Sequence, residues 1–141
     1  MIMRKVRCIT VLFCLALFGI VLVADLGFGG KAFFFLDYIP GGDKTGHFLL
    51  MGIFSFLINI NLSCRLVKWG RLRILKGNLI VLIIVTIEEI SQGLLASRNF
   101  DLGDLFFDYL GIFFFGSLAR LAWRYNLNHN GQMPHDNIYP L

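Results

Sequence analysis

Charged residues are scarce in this chain of 141 residues, of which only 16% are charged and 57% are hydrophobic. So few polar side chains cannot coat a water-soluble domain of this size. The scarcity argues against an ordinary soluble protein, and the mean hydropathy of +0.71 indicates an integral protein of the cell membrane. Because one helical span needs about 20 residues, the length allows a few spans and leaves no room for a separate soluble domain.

Cysteines are also few, and the basic residues form no nucleic-acid surface. The odd number of cysteines, three, shows no metal-ligand spacing, which argues against a zinc centre built from cysteines. The net charge of +4 does not indicate nucleic-acid binding, because no basic run is interleaved with stacking aromatics. The Lys and Arg residues gather beside apolar segments, where the positive-inside rule explains them.

Four apolar segments of membrane length are present. We predict spans at residues 8–24, 45–64, 79–96 and 105–123, which make residues 1–124 one membrane domain, and a polar tail at residues 125–141. The first segment also resembles a secretory signal, but its cleavage site is poor and a retained span is favoured. Asn59 and Asn61, near the end of the second span, are expected to find water. The predicted fold class is all-α, a bundle of four transmembrane helices.

Two basic groups determine the predicted orientation of this bundle. One precedes the first span and the other follows the second span, so both lie on the same side of the membrane. By the positive-inside rule that side is the cytoplasm, and both termini are therefore expected to be cytoplasmic. The residues of the two groups are Arg4, Lys5, Arg7, and Arg65, Lys68, Arg71, Arg73, Lys76.

Polar side chains gather at the opposite, extracytoplasmic ends of the last three spans. A charged side chain in hydrocarbon costs roughly 2.5 to 3.5 kcal/mol on insertion scales, so such residues indicate a functional site. Glu89 would lie on the order of 10 Å beneath the outer boundary, too deep to reach water comfortably. Helical spacing alone does not choose between Glu88 and Glu89. The set is Asp43, Lys44, His47, Glu89, Gln92, Arg98, Asp101, Asp104 and Asp108.

Three motifs in this set resemble those of the VanZ-like family of small membrane proteins, whose namesake is linked to reduced susceptibility to teicoplanin. Asp43-Lys44-Thr45-Gly46-His47-Phe48 is similar to the family's D-K-x-x-H-F, and Glu89-Ile90-Ser91-Gln92 is similar to its E-x-x-Q. Arg98, Asp101 and Asp104 follow its R-x-x-D-x-x-D, with Gly111 trailing. The resemblance selects Glu89 over Glu88. It departs at Asp108, where the family usually has Asn.

Two functional interpretations stay open at this stage, and a transporter is a distant third, because four short spans leave little room for alternating access unless the protein dimerises. In the first, Glu89, Asp104 and His47 are catalytic and act on an amphiphile of the cell envelope. The ligand would be a lipid-linked precursor, a phospholipid or a lipoglycopeptide, held by Asp43, Lys44, Gln92, Arg98, Asp101 and Asp108. In the second, the chain is a non-enzymatic scaffold or partner-binding module whose polar cluster is structural. The spacing of His and carboxylates does not identify a metal, and self-association stays open in both.

Overall fold

The computed structural model describes residues 2–29, 34, 38, 41–94 and 100–129, and it is mostly helical, as predicted. Within that part of the chain, four helices and one hairpin are present. They are α1 (Ile2–Val23), followed by a π-helical turn (Ala24–Phe28), α2 (Gly42–Asn61), β1 (Leu66–Trp69), β2 (Leu72–Leu75), α3 (Lys76–Gln92) and α4 (Leu102–His129).

Successive helices alternate in direction, and the helices α2 and α4 form the centre of the bundle. They run parallel, since Lys44 contacts Asp104 near their starts and Cys64 packs with Ala119 further along. The helices α1 and α3 run against this central pair. The contacts that establish this are Thr10 with Asn61, Phe13 with Phe54, Thr86 with Tyr109 and Asn78 with the backbone at Gly116.

Glycines let α2 and α4 approach closely. A Cβ atom built at Gly111 would collide with the backbone carbonyl oxygen of Phe48, which cannot move away as a side chain could. A Cβ atom at Gly52 would similarly strike the Phe115 ring. Small residues at such crossings allow close van der Waals packing of helices in membranes.

Among the described residues, polar side chains are nearly as common as apolar ones in the interior. The buried side chains include many polar ones, whereas large apolar side chains cover the outside of every helix. The buried polar residues are Thr10, Ser55, Asn59, Asn78, Glu89, Gln92, Asp104 and Asp108. Two helical segments, Arg4–Phe28 and Leu102–His129, are long and apolar enough to cross a membrane.

Helix boundaries differ from the predicted spans, most notably at the ends of the last three helices. The second helix ends at Asn61 instead of residue 64, because Ser63 and Cys64 adopt positive φ angles of 55° and 50° in a turn. The third helix ends at Gln92 instead of residue 96. The fourth continues to His129, so residues 125–129 of the predicted tail are helical. No Gly or Pro interrupts these five residues, and a helix that leaves the apolar region can continue in water.

A short β-hairpin connects α2 to α3, where the basic cluster after the second span had suggested a loop. The strands β1 and β2 pair antiparallel, with Val67 opposite Ile74 and Trp69 opposite Leu72. The two-residue connection begins at Gly70, whose φ of 61° suits a hairpin turn. Leu75 is buried, which anchors the hairpin to the end of the bundle.

Asn59 lies inside the bundle, fully buried, and not in water as expected. Its Nδ2 donates to the Ser55 carbonyl oxygen at 2.9 Å and to Asn78 Oδ1 at 2.7 Å. Its Oδ1 accepts from the backbone N–H of Gly77 at 3.1 Å. This network ties α2 to the first turn of α3. Sequence reasoning missed it, since its partners are about 20 residues apart; the only signal was amide side chains in apolar segments.

Candidate functional site

The starts of α2 and α4 meet the end of α3, and there the acidic side chains converge. We call this region the acidic end of the bundle. The opposite region, which contains the hairpin, the start of α1 and the second half of α4, is called the basic end. The acidic end brings together the predicted residues Asp43, Lys44, His47, Glu89, Asp101, Asp104 and Asp108. Arg98 lies outside the described residues.

Lys44 joins α2 to the start of α4 through two carboxylates. Its Nζ lies 3.1 Å from Asp104 Oδ1 and 3.3 Å from Asp101 Oδ2. Hydrogen bonds to Asp104 and Asp101 raise the pKa of Lys44. The pKa of Asp101 is lowered, first because its carboxylate accepts the backbone N–H of Gly103 and then because Lys44 lies beside it. Both groups are therefore charged at neutral pH.

His47 lies among three carboxylates. Its Nδ1 is 3.1 Å from Oδ1 of the fully buried Asp108. An ionised carboxylate only accepts hydrogen bonds, so with Asp108 ionised this contact requires a proton on Nδ1. Its Nε2 faces Asp104 Oδ2 at 3.8 Å and Asp43 Oδ1 at 4.0 Å, too far for direct hydrogen bonds. Nε2 is thus the ring atom left to exchange a proton or bind a ligand.

Asp108 forms its contact with His47, whereas Lys44 contacts Asp104, which lies one turn earlier on α4. From its sequence position, Asp108 was expected to have Arg98 or Lys44 as its counter-charge; Lys44 instead contacts Asp101 and Asp104, and Arg98 lies outside the described residues. Its second oxygen, Oδ2, is buried and has no hydrogen-bond partner among the described residues. A buried acceptor left in that state costs about 1 to 3 kcal/mol, which a ligand, a proton or a water molecule could offset.

Glu89 connects α3 to the start of α4. Its side chain is fully buried, and Oε1 accepts the backbone N–H of Asp101 at 2.8 Å. The other oxygen, Oε2, is buried without a hydrogen-bond partner in the part of the chain that the structure describes. The acidic end therefore contains two fully buried carboxylates, Glu89 and Asp108, each with one oxygen that has no hydrogen-bond partner among the described residues.

Gln92 lies at the same end but bonds to the neighbouring carboxylate. Its Nε2 donates to both oxygens of Glu88, at 2.9 and 2.8 Å. The two glutamates therefore have different partners. Glu88 bonds to Gln92, and Glu89 bonds to the backbone at the start of α4. Glu89, which the resemblance selects, is therefore the glutamate that contacts Asp101, and Gln92 bonds to Glu88 instead.

A metal ion could be held at the mouth of this cluster. One oxygen each of Asp43 and Asp104 and a ring nitrogen of His47 lie within 4.8 Å of one another. Two carboxylate oxygens and one imidazole suit several divalent ions. Asp108 would then orient His47 from behind, as a carboxylate often does for a metal-bound histidine.

No family model, no curated protein and no solved structure matches this chain. The resemblance to the VanZ-like family accordingly rests on the three motifs alone.

Proposed function

We propose that the chain is a VanZ-like protein of the cell membrane with four spans and both termini in the cytoplasm. Support comes from the packing of α2 and α3 against α4, which is itself long and apolar enough to cross a bilayer. A bilayer that surrounds α4 must also meet the helices packed along it. The exposed side chains of α3 suit hydrocarbon, since Ile83, Ile84 and Ile87 are all about half exposed or more.

The acidic end is then an extracytoplasmic site for an amphiphilic component of the cell envelope. The observation that carries this proposal is the pair of buried carboxylates, Glu89 and Asp108, each with an oxygen that lacks a hydrogen-bond partner among the described residues. Buried unsatisfied acceptors are costly for a merely structural cluster and are common at sites that receive a ligand.

The arrangement supplies the groups that hydrolysis or group transfer needs. His47 contacts Asp108 through Nδ1 and presents Nε2 toward Asp104, so it can act as a general base or acid. Lys44, a half-exposed cation, is placed to attract a phosphate or carboxylate of the substrate. A lipid-linked precursor, a phospholipid or a lipoglycopeptide fits, and turnover of such a molecule would alter glycopeptide susceptibility.

A divalent ion at Asp43, His47 and Asp104 is a second version of the same function, favoured by their mutual proximity. The ion would polarise the bound phosphate or carboxylate oxygen. Metal analysis and calorimetry with Zn²⁺, Mn²⁺ and Mg²⁺ on the purified protein test it. Stoichiometric binding that is lost in His47→Ala supports the metal version, and no binding of any of the three ions rejects it.

The alternative is a non-enzymatic scaffold or partner-binding module. The bond from the Asp101 N–H to Glu89 shows that part of the cluster does hold helices together. In this alternative, an uncharged side chain that keeps the hydrogen bonds should preserve function.

Teicoplanin susceptibility separates the site from the scaffold. Strains would express wild type, Glu89→Gln, Asp104→Asn or the matched control Glu88→Gln at equal membrane levels, with extracted lipids compared in parallel. For an active site, wild type and Glu88→Gln protect, whereas Glu89→Gln and Asp104→Asn lose protection by about tenfold or more, as for loss of a general acid or base. Protection by all four proteins, with unchanged lipids, would instead favour the scaffold.

A further inference from the structure

The β-hairpin at the basic end carries a dense positive charge. Residues 65–76, which form the hairpin and its two ends, include five cationic residues, and no Asp or Glu occurs anywhere at residues 44–87. All five are exposed, and none forms an ion pair with a carboxylate among the described residues. They are Arg65, Lys68, Arg71, Arg73 and Lys76. The hairpin therefore presents a cationic surface to its surroundings.

The strand register places cations of this surface directly opposite each other. Lys68 and Arg73 are partners in the antiparallel pair, so their side chains lie on the same face of the hairpin. Arg65 and Lys76 are neighbours at its base, where the Lys76 N–H donates to the Arg65 carbonyl oxygen at 2.8 Å. Like charges directly opposite each other destabilise a strand pair. An anion bound between Lys68 and Arg73 would offset that repulsion.

Buried contacts fix the hairpin to the end of the bundle. Leu75 and Cys64, at its base, are only 6% and 2% exposed and pack with Ala119 of α4. The partly buried Leu66 packs against the same cluster. The cations therefore extend from an ordered backbone instead of a loop. A preorganised surface loses less conformational freedom when it binds, so its charges can act together on one partner.

The surroundings of the hairpin indicate that this partner is a lipid. Ile74 of β2 lines the same cavity as Phe113 and Leu121 of α4, two residues that face outward. The hairpin thus borders the apolar surface that hydrocarbon would cover. Leu72, next to the turn, is 67% exposed, and such a side chain suits the boundary between headgroups and acyl chains. Basic clusters directly beside a membrane span are attracted to anionic headgroups.

We propose that the hairpin docks on anionic phospholipid in the leaflet at the basic end, with one lipid phosphate between Lys68 and Arg73 and with Leu72 in the interface. Arginine's planar fork of N–H donors matches phosphate oxygens, and lysine adds a point charge. Each cation beside an anionic membrane contributes about fivefold in affinity. The inference rests on the membrane placement proposed above and uses no residue of the acidic end.

Binding of defined lipids to the full-length protein tests this inference. The protein would be held in uncharged maltoside micelles and titrated with short-chain phosphatidylglycerol, short-chain phosphatidylcholine or inorganic phosphate. Native mass spectrometry counts bound lipid, and thermal unfolding follows all three ligands. Lys68→Gln and Arg73→Gln each remove one cation of the cross-strand pair. Lys5→Gln is the matched control, since Lys5 is an exposed cation of the same end that lies outside the hairpin.

Phosphatidylglycerol should bind about fivefold more weakly, or worse, to Lys68→Gln and Arg73→Gln, and as in wild type to Lys5→Gln. Lys68→Glu should bind it more weakly still, yet be at least as stable as wild type without lipid, because the new carboxylate would face Arg73. This variant separates lipid binding from folding.

Equal affinity for phosphatidylcholine, equal affinity for inorganic phosphate, or the same loss in Lys5→Gln would overturn the proposal. The second of these results would assign the hairpin to a soluble anion, and the third would mean that attraction is spread over the whole basic end. Each would leave the four-span proposal standing, because lipid binding in micelles does not depend on which helices cross the bilayer.

Discussion

The two oxygens of Glu89 have different surroundings, and this difference allows its structural and chemical roles to be separated. Oε1 accepts the N–H of Asp101 and so holds the start of α4 against the end of α3. Oε2 has no hydrogen-bond partner among the described residues, although it is buried. A substitution that keeps the first oxygen while removing the charge therefore affects only one of the two roles.

We expect Glu89→Gln to fold as stably as wild type, because glutamine retains a carbonyl oxygen for the Asp101 N–H. Glu89→Ala removes that acceptor and should lower the free energy of unfolding by about 1 to 3 kcal/mol. Unfolding in mixed micelles, monitored by circular dichroism, measures both. Equal destabilisation by the two variants would mean that the negative charge itself holds the bundle together, and it would favour the scaffold alternative.

Asp101 should make stability depend on pH in acid. Its pKa is lowered from an ordinary value of 3.8 by the Gly103 N–H and Lys44, so its ionised form stabilises the fold. That stabilisation is complete above pH 3.8 and is lost as the pH falls through the lowered pKa. Asp101→Asn keeps an acceptor for Gly103 but loses the ion pair.

The difference in Tm between wild type and Asp101→Asn is therefore expected to be constant from neutral pH to about pH 5 and to vanish in stronger acid. The other carboxylates titrate in both proteins, so their effect on Tm cancels in the difference. High salt should reduce the difference at neutral pH, since Lys44 and Asp101 are both partly exposed. A difference that grows on acidification would contradict the assigned ion pair.

Between elements, the contact of α2 with α4 depends on backbone approach more than on large side chains. The Gly111 position touches the carbonyl oxygen of Phe48, and Ser55 Oγ donates to the carbonyl oxygen of Ile112 at 3.2 Å. The same two helices carry His47 and Asp108 to each other. The geometry of the acidic end thus depends on how closely these helices pack.

Gly111→Ala should separate the two helices and destabilise the protein by about 1 to 3 kcal/mol, the usual cost of overpacking. The rigid carbonyl of Phe48 cannot move aside as the end of a side chain would. Gly19→Ala is the matched control, because a Cβ atom there meets nothing within 4 Å on α1. It should be neutral or slightly stabilising, since alanine favours helix. Equal unfolding midpoints for the two variants would refute close packing at Gly111.

For the whole molecule, the sequence predicted what depends on local composition and missed what depends on pairing across the chain. The helices follow from long apolar segments, and the grouping of Asp43, His47 and Asp104 follows from the alternation of helix direction. The hairpin was not predicted, because its strands carry Lys68 and Arg73 and their composition is typical of a charged loop. The inward placement of Asn59 was missed because its partners lie on another helix.

The proposed four-span topology places the hairpin and the acidic end on opposite sides of the membrane. At 1.5 Å per residue, the 17 residues of α3 extend about 25 Å, close to the thickness of the hydrocarbon core when the adjoining turns are included. A single cysteine at Arg71, in the hairpin turn, should then be shielded from outside, whereas one at Ser91, exposed at the end of α3, should be accessible.

Cells expressing Arg71→Cys or Ser91→Cys, with Cys8, Cys14 and Cys64 replaced by alanine, would be treated with a membrane-impermeant maleimide. Ser91→Cys should react in intact cells, and Arg71→Cys only after permeabilisation, because α3 separates the two positions. A detergent-solubilised sample, in which both react, controls for local accessibility. Reaction of both positions from the same side would mean that α3 does not cross the bilayer. The carboxylates at its end would then face the same solution as the arginines of the basic end, and the extracytoplasmic site would have to be abandoned.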